Sequence, residues 1–263
     1  MSPEDDARTP EEQRVRDALR GLPPVAADPG FRLRLRREFR AGAIASTSRA
    51  WKIWALAASA ILMLGGVSAI ANRGEPWTVG ATSGVGVVHI DGQAIDVTDP
   101  HLAAALVPGA VVTTDAQAEL ELMSEGTIAL VVTPETTLRL PAVPGRWFHR
   151  SVRASLERGE LRGRTGDRFA GARLQVDVPD ATVEISGTTF AVLRNAEGSC
   201  VCVLEGTVSM QNRDGTFAVA PTRRRVVPPG GGASRDEPLR PMEAMKLEML
   251  RDRTREIWAV ESD

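Results

Sequence analysis

The chain has 263 residues, with 32 Lys and Arg against 34 Asp and Glu and a formal net charge of −2 at pH 7. So even a balance leaves no broad basic footprint, and a direct nucleic-acid partner is not expected. Tyr is absent and aromatic residues make up only 4% of the chain, so a core must rest on Val, Leu, Ile and Ala.

The first stretch, Met1 to Pro10, is acidic and short of apolar residues, the composition of a disordered tail. Glu11 to Leu22 (EEQRVRDALRGL) places Val15, Leu19 and Leu22 at helical spacing, and Gly21, Pro23 and Pro24 end that helix. After the linker LPPVAADPG, Asp28 reads as an N-cap with Pro29 at the first helical position. The helix that follows, FRLRLRREFRAG, carries Phe31, Leu35 and Phe39 in one i, i+4, i+8 row, with Leu33 off the row. Two readings stay open for it. A basic juxtamembrane helix would lie against anionic lipid; a short partner-binding helix would use Phe31, Leu35 and Phe39 as its contacts. Residues 1–50 hold too little apolar surface to bury a core of their own.

Ile53 to Ala71 (IWALAASAILMLGGVSAIA) carries no charge. As a helix it would extend about 28 Å, against a hydrocarbon thickness of about 30 Å. A membrane helix over residues 53–71 is therefore expected. Arg32, Arg34, Arg36, Arg37, Arg40, Arg49 and Lys52 precede it, and Arg73 follows. The positive-inside rule then places the N-terminus in the cytoplasm and the chain after Asn72 outside, as a single-pass protein of the inner membrane. Trp51, Trp54 and Trp77 are candidates for aromatic anchors at the interfaces.

From about residue 77 to 230 the pattern is that of short strands. Apolar runs are separated by corners that usually contain Gly: HIDGQAI, LVPGAVV, LMSEGTI, LERGEL, ISGTTF, LEGTV and NRDGTF. Two longer loops, DPHL and PAVPGRWFHR, interrupt the series. Many short strands without intervening helices predict a mainly β domain, sandwich-like or an irregular solenoid, and corners that turn and continue favour the solenoid.

In VEISGTTFAV, Val183, Ile185, Phe190 and Val192 are expected inside, and Gly187 with Thr188 is expected to be one such corner. Ser186 lies in no GxSxG elbow. His89 alternates with Val88 and Ile90 and should face solvent, while His101 and His149 fall in loops. No pair of histidines shares a metal-ligand spacing. Cys200 and Cys202, two apart on a strand, point to the same face. They read as two small buried apolar residues, as a strained or regulatory disulfide, or as part of a metal site. No cofactor and no enzymatic activity is expected.

After the break PPGGG, residues 239–260 read as a helix with an uneven apolar face of Met242, Met245, Met249, Leu250, Ile257 and Trp258. Such a helix packs on its own domain or offers a docking surface for a partner.

Several pieces in order resemble one family. LVPGAVVTTDAQAELELMSEGTIALVVTPETTLRL, then LERGEL, VEISGTTFAV and CVLEGTVSM, are similar to the FecR domain of transmembrane regulators of extracytoplasmic-function sigma factors. The resemblance covers about residues 79–228. It implies a cytoplasmic segment that touches a sigma factor, one span, and a β-rich periplasmic domain that receives a signal from a protein or envelope ligand. The arm contains no Cys or His, so it lacks the zinc motif of another anti-sigma class. The competing expectation is a membrane-tethered β scaffold that binds cell-wall glycan or envelope proteins and has no transcriptional role.

Overall fold

The computed structural model describes residues 28–40, 72, 76–80, 86–230 and 232–260. The expected span, residues 53–71, lies outside them, as do Trp51, Trp54 and the helix expected over residues 11–22. Among the described residues no helix is long and apolar enough to cross a membrane.

The chain divides into two units, Met1–Gly66 and Val67–Asp263. In the first, helix α1 spans Pro29–Arg40 and begins where the Asp28-Pro29 signal placed it. The Asp28 carbonyl accepts from the N–H groups of Phe31 (3.0 Å) and Arg32 (3.1 Å), which closes the first turn.

The second unit is mainly β. Its strands are β1 (Thr78–Val79), β2 (Val87–Ile90), β3 (Gln93–Asp96), β4 (Val111–Thr114), β5 (Leu120–Ser124), β6 (Ile128–Val132), β7 (Thr137–Arg139) and β8 (Ser151–Thr165). They continue with β9 (Arg173–Val178), β10 (Ala181–Ile185), β11 (Thr189–Asn195), β12 (Gly198–Glu205), β13 (Val208–Asn212), β14 (Gly215–Val219), β15 (Arg223–Val227) and β16 (Arg235–Pro238). A short helix α2 (Leu102–Ala105) starts at the last residue of the DPHL loop, and helix α3 (Pro241–Val260) ends the described chain.

Strand pairing runs in two arms that meet in β8. One arm has the order β3-β2-β4-β7-β8-β9-β10-β13-β14. The other has the order β1-β5-β6-β8-β11-β12-β15-β16. The first part of β8, up to Arg158, belongs to the first arm, and the part from Gly159 onward to the second. Inward residues of both arms, among them Val88, Leu138, Leu156, Val176, Val183 and Met210 with Leu122, Leu130, Leu161, Phe190 and Val203, form one buried cluster. Facing sheets that share a core make a sandwich.

This corrects the solenoid reading. Among the described strands every pairing is antiparallel except β8 with β9, whereas a solenoid stacks its strands in parallel. LVPGAVV leads from α2 into β4, and the other six corners fall into two kinds. HIDGQAI, LMSEGTI and NRDGTF double back as hairpins between β2 and β3, β5 and β6, and β13 and β14. In the first of these both Asp91 (φ 49°) and Gly92 (φ 84°) are left-handed, the requirement of a two-residue type I′ turn. LERGEL, ISGTTF and LEGTV instead carry the chain from one sheet to the other.

Helix α3 begins two residues later than the expected 239 and lies on the outer face of the second sheet, over β8, β11 and β12. There Leu247 joins Ala191, Cys200, Cys202, Leu204 and Val226 in a second buried cluster. The expected apolar face is corrected in part. Leu250 is buried, but Met242, Met245 and Met249 are exposed on the other side of the helix. The buried stripe is Leu247, Leu250 and Thr254, one i, i+3, i+7 row. Trp77 is also corrected. It is 5% exposed and donates from Nε1 to the Pro141 carbonyl (3.0 Å), so it is a core residue and not an interfacial anchor.

Candidate functional site

Two regions carry the chemistry that sequence reading singled out, the α1 helix and the corners of the β domain. Helix α1 contains all three expected contact residues, Phe31, Leu35 and Phe39. Residues at i, i+4 and i+8 of a helix advance by about 40° per step, so the three positions share one side. Phe31 is 51% exposed. Arg32, Arg34, Arg36 and Arg37 are exposed around it. An aromatic residue beside arginines suits an acidic, partly apolar partner surface and suits an anionic membrane equally.

In the β domain, the family-like motifs converge on the sheet switch. Gly159 (φ 93°) lies in LERGEL where β8 changes sheets. A Cβ there would overlap Thr136 Oγ1 and lie 2.5 Å from the Thr136 Cα. Thr136 belongs to VTPETTL. Its hydroxyl accepts from the Glu160 N–H (3.1 Å) and meets the Thr133 hydroxyl (3.2 Å). Thr114 Oγ1 donates to the Thr133 carbonyl (2.6 Å) and accepts from the Thr136 N–H (3.0 Å). Thr114, Thr133 and Thr136 are all buried. Thr136 thus supplies the acceptor for the Glu160 N–H at the bend in β8 and Thr133 donates to the Glu160 carbonyl (3.1 Å), while Thr114 holds the Thr133–Thr136 turn beside it.

The second switch is the corner of VEISGTTFAV. Val183, Ile185, Phe190 and Val192 are buried, as the alternation predicts. Gly187 has φ 147° and Gly206, in LEGTV, has φ 81°. A Cβ on Gly206 would strike the Gly187 carbonyl oxygen and lie 2.6 Å from Thr188 Cγ2, so the two crossings touch. The Thr188 N–H donates to Thr165 Oγ1 (2.8 Å), and its carbonyl accepts from the Thr165 N–H (3.1 Å). Thr188 therefore bonds through its backbone, and its hydroxyl is buried without a hydrogen-bond partner.

Beside this corner lies a cleft of about 460 Å³ lined by Arg164, Asp167, Ser186, Gly187, Thr188 and Glu205 among others. Two of its charged groups are already engaged by α3. Arg164 donates to the Arg251 carbonyl and to Thr254 Oγ1 (2.8 Å), and Glu205 accepts from Arg251 (3.2 Å).

Cys200 and Cys202 are buried free thiols with their sulfurs 3.8 Å apart, on the sheet face that α3 covers. The hydrogen bond from Cys202 moves the Cys200 thiol down, helped by the Arg224 guanidinium, while that same bond and burial push Cys202 up. Arg224, paired across the ladder with Cys202, is 2% exposed. It meets Glu243 of α3 (2.9 Å), Glu197 (3.5 Å) and Glu237 (3.7 Å). Sequence reading missed this cation because Arg224 lies in a run of three arginines, and only the strand register tells which of them points under the helix. His89, His101 and His149 are all exposed.

The architecture is thus a two-sheet β domain with a docked C-terminal helix, preceded in the chain by a separate basic helix. Residues 110–209 match the model of the family described as FecR protein. That segment runs from the residue before β4 into β13 and contains both glycine–threonine switches. The resemblance read from VTPETTL, LERGEL, VEISGTTFAV and LEGTV therefore holds for this part of the chain. No curated protein matches the sequence. Two crystal structures of a candidate anti-sigma factor from Parabacteroides distasonis are similar at a distance. One has 17% identity and a TM-score of 0.38, covering 46% of this chain and 55% of that one. The other has 16% identity and a TM-score of 0.41, covering 49% and 59%. The matched region thus spans a little over half of either, and a likeness this remote says nothing about function.

Proposed function

We propose that this chain is a non-enzymatic, single-pass regulator of the inner membrane. Its FecR-type domain would face the periplasm and receive a protein or envelope signal, and its cytoplasmic arm would hold a sigma factor through Phe31, Leu35 and Phe39. The observation that carries the reading is the order of parts. A FecR match on the β domain stands behind an uncharged stretch, and a basic helix with an exposed phenylalanine stands before it. An arm too poor in apolar residues to bury a core of its own suits a role in binding a partner.

Affinity capture with the detergent-solubilised full chain tests this. A sigma factor is the expected prey, and Phe31→Ala with Phe39→Ala lowers its recovery at least about tenfold, the effect of losing two aromatic anchors. Capture of no sigma factor, or recovery indifferent to the double substitution, contradicts the reading.

A further inference from the structure

The loop Arg146–Arg150 presents Trp147 at 60% and Phe148 at 61% exposure, side by side. The exposure is built in. Asn72 is 8% exposed, and its Oδ1 accepts from the N–H groups of Trp147 (2.8 Å) and Phe148 (2.7 Å). Its Nδ2 donates to the Phe148 carbonyl (3.0 Å), and its own carbonyl accepts from the Arg146 N–H (3.2 Å). Gly145 closes the turn by donating to the His149 carbonyl (3.3 Å). A Cβ on Gly145 would overlap the Phe148 carbonyl oxygen and lie 2.8 Å from Asn72 Nδ2. His149 is left-handed at φ 56°. One buried asparagine thus satisfies the backbone of the tip, and both aromatic rings remain outside.

The position of Asn72 in the chain says what covers them. It directly follows the uncharged stretch that ends at Ala71. One residue of chain reaches at most about 3.6 Å, and each headgroup layer is about 5–8 Å deep. A loop hydrogen-bonded to Asn72 therefore lies at headgroup depth wherever residues 53–71 span a bilayer. Trp and Phe suit that layer, where an apolar ring meets a wet boundary. Arg146 and Arg150 flank the pair, and Arg150 is fixed by donating to the carbonyls of Gly145 (3.1 Å) and Arg168 (3.3 Å). The exposed Arg146 guanidinium, next to these aromatics, suits anionic lipid phosphates, while Arg150 holds the loop.

We infer that Trp147 and Phe148 insert into the outer headgroup layer and hold the β domain against the bilayer through Asn72. This rests on the membrane anchorage proposed above. It adds that the domain lies on the lipid surface by a second, structured contact instead of swinging freely from its span.

The test reconstitutes the full chain into phosphatidylcholine vesicles, with and without phosphatidylglycerol, whose acyl chains are brominated near the headgroup. Trp147→Phe leaves an aromatic ring in place and removes one fluorophore. The difference in emission between wild type and this variant isolates Trp147. It is expected to be blue-shifted, quenched by the brominated lipid and shielded from iodide at least about twofold relative to the chain in detergent. A Trp147 signal open to iodide and untouched by brominated lipid, in a chain whose remaining tryptophans are quenched, overturns the inference alone and leaves the surface to a protein partner. A chain that alkaline carbonate strips from the vesicles overturns the anchorage and the inference together.

Discussion

Gly206 has φ 81° and no room for a Cβ between Gly187 and Thr188. Gly206→Ala is expected to cost at least about 2 kcal/mol, the sum of left-handed strain and overlap, read from the midpoint of urea unfolding. Thr136→Val keeps the shape but leaves the half-buried Glu160 N–H without its acceptor, a loss of about 1 kcal/mol in the same measurement. Glu121 gives a pH-dependent counterpart. It is 4% exposed, its Oε2 meets Arg253 at 3.0 Å, and its Oε1 has no hydrogen-bond partner. Burial raises its pKa above the ordinary glutamate value, and Arg253 only partly opposes this. The folded state then holds its proton more tightly than the unfolded chain does. The associated stability is present below the unfolded pKa and is lost as pH rises through the folded one. Glu121→Gln is therefore expected to gain stability relative to wild type between pH 4 and pH 7, compared by thermal melts at both; an unchanged difference contradicts the assignment.

At the scale of elements, α3 is held as much by charge as by apolar contact. Glu243 accepts from Arg224 with Oε1 (2.9 Å) and from the Arg240 N–H with Oε2 (3.1 Å), so it pairs a buried cation and caps its own helix. Glu243→Ala is expected to cost about 2 kcal/mol, tempered by Glu197 and Glu237, which keep part of the Arg224 pairing. Met245→Ala, on the exposed side, is expected to change stability by less than about 0.5 kcal/mol. The helix itself was legible from its spacing, but its buried side was not. Apolar counting favours Met242, Met245 and Met249, whereas docking on a sheet that presents Arg164, Glu205 and Arg224 selects Leu247, Leu250 and Thr254. For α1, the Asp28-Pro29 start was readable because the signal is local. The Asp91-Gly92 signal was equally local, since the dipeptide specifies a type I′ turn, but HIDGQAI reads in sequence as a corner that continues and not as the hairpin it forms.

For the whole molecule, strand alternation and the family-like motifs marked out a mainly β domain, and the match over residues 110–209 agrees. The layering was not readable, because it depends on which distant strands pair. A Gly that reverses the chain in LMSEGTI and a Gly that lets β8 run on into another sheet in LERGEL look alike in one dimension. The Trp147–Phe148 tip went unread for the same reason. PAVPGRWFHR is only a loop until Asn72, far away in sequence, is seen to hold it. The account as a whole depends on the arm and the β domain lying in different compartments. Alkaline phosphatase fused after Val260 and, separately, before Met1 measures this most directly. Activity is expected from the first fusion and not from the second; equal activity from both, or activity only from the N-terminal fusion, contradicts the account.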